Sequence, residues 1–245
     1  MCKFLFLIPK RGRGVSLEEV VKRSKKLINL DGECLNLDGF GIGYSFEGRH
    51  QVYRSIGLLE HDQNIHLLSP LIYRSPWVLL HLRKASNDVI SHTNCHPFSY
   101  GNITMAHIGE FALFNLDRKS VIDRIDDQLL LKIKGNTDSE YFFYALLTDY
   151  FRTGDMKISV ERTVDFFSRY DCCLNIVLID NDDTYLVTYN NYLSDMSKVY
   201  YSQEWDDCDA FTVLASEMTG VASQGYHVLD AGKMLKIYKL GDNAN

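Results

Sequence analysis

The order in which apolar periodicities follow one another constrains this chain of 245 residues more than any other feature. "KFLFLIP" reads as a short apolar strand. "GVSLEEVVKRSKKLI" (14–28) then reads as an amphipathic helix, because Leu17, Val20, Val21, Leu27 and Ile28 share one face. Ser16 and Glu19 stand at capping-box spacing at its head. "GFGIGYSF", "QVYRSI", "WVLLHLR" and "NITMAHI" have strand character. "TDSEYFFYALLTDYF" and "SVERTVDFFSRY" switch to helical spacing, after which "CLNIVLID", "TYLVTYN", "KVYYS", "FTVLAS" and "MLKIYKL" return to strands. Strands, then two helices, then strands is an α+β order rather than a βαβ alternation, and it predicts antiparallel sheets with helices grouped on a face. No internal repeat or low-complexity linker interrupts it, so residues 2–245 are expected to form a single domain.

Bulk properties narrow the classes of partner. A net charge of −6 with no long run of one sign offers no electrostatic attraction for nucleic acid or an anionic membrane. "KRGRG" (10–14) is a basic cluster and reads as a solvated turn. The first apolar run is too short for a signal-peptide core, its basic residues follow rather than precede it, and no segment has the length to span a bilayer. Cytoplasmic localisation is therefore expected. The cysteines at 2, 34, 95, 172, 173 and 208 lack paired ligand spacing and are read as reduced thiols, without a disulfide framework or a metal site, and no cofactor is expected. "GFGIGY" is not followed by a helix, which argues against a dinucleotide loop.

Several polar clusters exceed what packing needs. Cys2 directly follows the initiator methionine; once that residue is removed, Cys2 carries a thiol and a free α-amine. Asn36 and Asp38 precede a glycine-spaced strand, where glycines admit another backbone or a ligand. His81 and Arg83 lie two apart at the end of a very apolar strand, hence on one face, and a buried arginine needs an anionic partner. His96, His107 and Asp138 stand in "TNCHPF", "MAHIGEF" and "GNTDSE". Each has a plain structural explanation: a small hydrophobe at 2, satisfied core histidines, a protein carboxylate for Arg83, a helix N-cap at Asp138.

Taken in order, the N-terminal Cys, "NLDGFGIGY", "HLRKAS", "NCHPF", "AHIGEF", "TDSE" and "VLASE" resemble the class II glutamine amidotransferases, Ntn-hydrolases with a cysteine nucleophile, over about residues 2–220. Within that family the chain is most similar to stand-alone members related to the fungal glutathione-degradation subunit and the ergothioneine-pathway amidohydrolase. The resemblance implies a four-layer αββα sandwich of two antiparallel sheets between helix layers. It also implies hydrolysis of a γ-glutamyl amide, such as glutamine or glutathione, through a glutamyl thioester with release of ammonia or an amine. In that reading Cys2 is the nucleophile and its α-amine, with an ordinary pKa of about 8, takes the proton of a thiol of about 8.5. Arg83 holds the substrate α-carboxylate, Asp138 the α-ammonium, Ser86 contacts the substrate, and the Gly109 N–H serves the oxyanion. Asn36, Asp38, His81, His96 and His107 support the site.

One position departs from the family. His107-Ile108-Gly109 stands where the family has His-Asn-Gly, so the amide of one oxyanion donor is missing at Ile108. Loss of one such donor costs roughly 100- to 1000-fold in turnover. The alternative function is therefore an impaired, glutamyl-binding regulatory subunit of a partner enzyme. No acceptor-synthesising module is expected after residue 245, so the expectation is either an ammonia acceptor on a partner chain or simple hydrolysis of the amide. A small-molecule γ-glutamyl substrate, with a partner enzyme chain or a homo-oligomer, completes these expectations.

Overall fold

The opening strand is apolar at consecutive positions because both of its faces are covered. In β1 (Lys3–Pro9), Leu5 and Leu7 pack toward a helix layer, whereas Phe4 and Phe6 point into a second apolar cluster. The structure is a computed structural model that describes residues 2–10, 12–29, 38–85, 89–112, 114–181, 183–191, 198–202, 210–216, 226–229 and 235–240. Asn36, Ser86, Cys34, Cys208 and Glu217 of "VLASE" lie outside the described residues.

The remaining strands are β2 (Phe40–Phe46), β3 (Arg49–Ser55), β4 (Val78–Leu82), β5 (Phe98–Tyr100), β6 (Ile103–Phe111), β7 (Cys172–Asp180), β8 (Asp183–Asn190), β9 (Lys198–Ser202), β10 (Ala210–Ser216), β11 (Tyr226–Leu229) and β12 (Lys236–Leu240). They form a seven-stranded sheet of order β11-β9-β10-β1-β4-β2-β3 and a five-stranded sheet of order β12-β8-β7-β6-β5. Their pairings are antiparallel, as the element order predicts. The helices are α1 (Leu17–Asn29), α2 (Ser69–Tyr73), α3 (Arg118–Arg124), α4 (Asp127–Leu130), α5 (Asp138–Thr153) and α6 (Met156–Phe167).

Three apolar clusters define the layers. Leu17 and Val20 of α1 and Ile72 of α2 cover the outer face of the larger sheet with Ile42, Leu80 and Leu82. Phe142, Phe143 and Leu146 of α5, with Val160 and Phe167 of α6, cover the smaller sheet through Leu174, Ile176 and Leu178. Between the sheets lie Phe6, Leu79, Ala106, Ile108, Val177 and Ile179. This is the αββα sandwich that the resemblance implies.

Local signals act largely as read. Ser16 Oγ accepts the Glu19 N–H at 3.1 Å, and the Glu19 carboxylate meets Arg23 at 2.7 Å. The second long helix begins earlier than Ser159: Asp155 caps α6 by accepting the Ile158 N–H, and the Ser159 hydroxyl folds back to the Asp155 carbonyl. β5 and β11 are three and four residues long, too short to announce themselves by alternation.

Candidate active site

The sheet register carries the predicted residues to one end of the sandwich. β4 lies between β1 and β2, with Lys3 opposite Leu82 and Phe40 opposite Leu82. Cys2 and Arg83 therefore emerge side by side where these central strands end. Alternation sends Leu80 and Leu82 to the helix layer and leaves His81 and Arg83 facing the space between the sheets. His81 is fully buried and Arg83 is 3% exposed.

Cys2 is tied to the chain that follows β4. Its sulfur accepts the Lys84 N–H at 3.3 Å, and its thiol lies 3.4 Å from the Lys84 carbonyl. Burial pushes the thiol up from its ordinary value; the Lys84 N–H and the Arg83 guanidinium pull the other way. Asp38 fixes the same segment by accepting the Ala85 N–H at 2.8 Å, and the Arg83 N–H donates to the Gly39 carbonyl at 2.8 Å. Asp38 thus touches the backbone beside Cys2.

The glycine spacing of β2 serves a neighbouring backbone. A Cβ at Gly41 would stand 2.0 Å from the carbonyl oxygen of His96. This close approach seats His96 within the sandwich, with its ring 4.4 Å from that of His81 and 6.5 Å from that of His107. His107 Nε2 lies 3.2 Å from the Cys173 carbonyl, which can only accept, so that nitrogen carries the proton and Nδ1 accepts from Ser139 Oγ at 2.8 Å. Burial lowers all three rings: His81 to about 3, His107 to about 4 and His96 well below its ordinary value, so each is neutral near pH 7.

Asp138 begins α5 but does not cap it. Thr137 is the N-cap, its side chain accepting the Glu140 N–H at 3.2 Å. Asp138 instead accepts the Phe111 N–H at 3.0 Å and the Ser139 N–H at 2.6 Å, joining the end of β6 to the start of α5. Burial raises its carboxyl, and those N–H groups oppose the shift. Gly109 has φ +147, and a Cβ there would lie 1.8 Å from the Cys173 carbonyl oxygen. Gly109→Ala is therefore expected to cost at least about 3 kcal/mol through strain and collision, lowering Tm by roughly 6 to 12 °C for a chain of this size. A melt within 2 °C of the parent would show that β6 and β7 separate there at little cost.

Cys2, Arg83, His107, Ile108, Gly109 and Asp138 line one cavity of about 380 Å³. His96 also borders it, whereas His81 lies behind. Ile108 is 1% exposed and belongs to the apolar cluster between the sheets, against which Cys2 packs. Among the described residues no group of three potential metal ligands occurs, and Cys2, Cys95, Cys172 and Cys173 are free thiols. The cavity joins a thiol, a guanidinium and a carboxylate, the three groups needed to attack an acyl carbon and to hold the carboxylate and ammonium of an amino acid. Sequence reasoning passed over Lys84, Asn94 and Asn136, which also line it. Lys84 acts through its backbone, which no residue type announces. Glu140 was missed too, although its spacing from Thr137 is that of a capping box.

No protein-family profile matches the chain. It is 29% identical over 163 residues to the probable glutamine amidotransferase DUG3 of Saccharomyces cerevisiae, a match covering 60% of this chain and 45% of that protein. The chain thus matches less than half the length of this relative. Among solved structures, the glutamine aminotransferase class-II domain protein of Silicibacter pomeroyi superposes with a TM-score of 0.68 at 18% identity, covering 98% of this chain and 95% of the other. The glutamine phosphoribosylpyrophosphate amidotransferase of B. subtilis gives 0.64 at 14% identity over 99% of this chain and 50% of its own. A predicted glutamine amidotransferase of Pseudomonas aeruginosa gives 0.52 at 14% identity, covering 98% and 95%. The sequence likeness relates the chain to the glutamine amidotransferases, and these superpositions assign it the Ntn-hydrolase fold.

Proposed function

We propose that this chain, a relative of the glutamine amidotransferases with the class II fold, hydrolyses the γ-amide of a small γ-glutamyl compound with Cys2 as nucleophile. The observation that carries the reading is the meeting of Cys2, Arg83 and Asp138 around one cavity. Arg83 pairs with the substrate α-carboxylate through its planar fork, and Asp138 receives the α-ammonium. A ligand lacking either charge forgoes one of these two ion pairs, which favours the L-glutamyl head group.

With Met1 removed, the α-amine of Cys2 takes the thiol proton, and sulfur attacks the γ-carbonyl carbon. A C–S bond forms, the carbonyl oxygen becomes an oxyanion beside the Gly109 N–H, and the C–N bond breaks as the proton passes to the leaving ammonia or amine. Water then hydrolyses the thioester, giving glutamate and the free thiol. A base is required because burial keeps the thiol protonated at neutral pH.

Intact-mass measurement before and after treatment with 6-diazo-5-oxo-L-norleucine tests the reading. The expected result is a chain lacking Met1 that gains one adduct, mapped to Cys2. A processed chain that gains none would overturn it.

A second reading rests on Ile108. Its side chain is packed into the apolar cluster beside Cys2, where the resemblance calls for an amide donor. Under this reading the cavity binds a glutamyl group and regulates a partner enzyme. Ile108→Asn separates the two: for a slow hydrolase it is expected to raise γ-glutamyl hydrolysis about 10-fold or more, at least about 1.4 kcal/mol of barrier. The same change puts an amide into an apolar site and is expected to lower stability by about 1 to 3 kcal/mol. A flat rate in a folded, processed variant favours the binding module.

A further inference from the structure

The segment before α5 is held by two buried side chains that the reaction itself does not use. Glu140 occupies the third helical position after the Thr137 cap, where a capping-box glutamate ordinarily returns to the N–H of the cap residue. Here its carboxylate reaches farther back, accepting the Lys134 N–H at 3.0 Å and the Gly135 N–H at 2.7 Å. Glu140 is 3% exposed and does not line the cavity. The same segment is also held by Asn94, 2% exposed. Its Oδ1 accepts the Asn136 N–H at 3.1 Å, while its Nδ2 donates to Asn136 Oδ1 at 2.7 Å and to the Val89 carbonyl at 2.9 Å.

Residues 134–136 are thus held by both side chains immediately before Thr137 and Asp138. With Thr137 supplying the cap, the Asp138 carboxylate is left at the cavity wall, attached to the end of β6 through Phe111. A shift of the gripped segment moves the first turn of α5 and that carboxylate with it. Ion pairing to a substrate ammonium depends steeply on such placement.

We propose that Glu140 and Asn94 are positioning residues that set where Asp138 presents its carboxylate, and thereby govern recognition of the substrate α-ammonium. This rests on the role given above to Asp138. Neither residue takes part in bond making; both act through the backbone of residues 134–136.

The test compares two probes of Cys2 on the full-length chain: 6-diazo-5-oxo-L-norleucine and 6-diazo-5-oxohexanoate, which keeps the carboxylate and the reactive ketone but lacks the amine. Saturation kinetics followed by intact mass yield a half-saturating concentration and a limiting rate for each. Asn94→Ala and Glu140→Gln are expected to raise the half-saturating concentration of the amino probe about tenfold, with the limiting rate unchanged and the des-amino probe unaffected. Glu140→Ala, which leaves no acceptor, is expected to exceed Glu140→Gln, which keeps one. Equal weakening of both probes, or no change in either, overturns the proposal. Should Glu140→Gln fail to fold, Asn94→Ala decides alone. Asp138→Asn is the reference: if it does not discriminate between the probes, the role of Asp138 itself falls, whereas discrimination by Asp138→Asn alone removes only the tether.

Discussion

Cys2→Ala is expected to abolish γ-glutamyl hydrolysis, a loss on the order of a millionfold, the scale reached when a covalent nucleophile is removed. In the proposed reaction the sulfur forms the thioester, and no other free cysteine among the described residues lines the cavity. Stability should hardly move. The substitution removes two long sulfur interactions with Lys84, at 3.3 and 3.4 Å, together worth less than about 1 kcal/mol. A chain that keeps Met1, or carries residues before it, should be as inactive as the alanine variant, because the amine that takes the thiol proton is displaced. Turnover assays with glutamine and a γ-glutamyl amide, paired with thermal melts, check both statements. Turnover retained in Cys2→Ala removes Cys2 from the mechanism, and an active extended chain removes the amine.

The second large effect is acid unfolding. An exposed histidine of the unfolded chain takes up its proton near pH 6.5, whereas in the fold His81 does so only at about 3, His107 at about 4 and His96 well below the ordinary value. Below pH 6.5 the unfolded state binds more protons, so stability is complete above that value and falls as pH drops toward the folded values. Between pH 7 and pH 5 His81 and His107 each remove about 2 kcal/mol, about 4 together, and His96 acts in the same direction; this is a large part of the roughly 5 to 15 kcal/mol that ordinarily holds a domain folded. Asp138 and Glu140 act in the opposite sense: burial raises both carboxyls, so the fold takes up their protons first and gains stability as pH falls through their folded values. This gain begins at those raised values and is complete near the ordinary carboxyl value of about 4, so it offsets part of the histidine loss. Cooperative unfolding near pH 5, followed by circular dichroism and tryptophan fluorescence, is the expected outcome. A chain fully folded at pH 4.5 would mean that these rings are solvated.

Local patterns were legible because they are fixed by near neighbours. The Ser16 cap, the α1 face through Leu17 and Val20, and the switch from strands to helices and back depend on spacing along the chain, and spacing survives into the fold. The shared face of His81 and Arg83 was equally readable, since alternation in a strand needs no tertiary information. The fold class followed from element order, and the candidate residues from an ordered resemblance, but the sequence could not decide what those residues touch. That Gly41 admits the backbone of His96, that Thr137 rather than Asp138 caps α5, and that the Cys2 sulfur is held by the backbone of Lys84 each depend on segments far apart in the chain. Ile108 shows the division most clearly. The sequence alone exposed it as a missing amide, whereas packing between the two sheets decided that its side chain is core, because only the paired sheets bring Phe6 of β1 and Val177 of β7 into the cluster that encloses it.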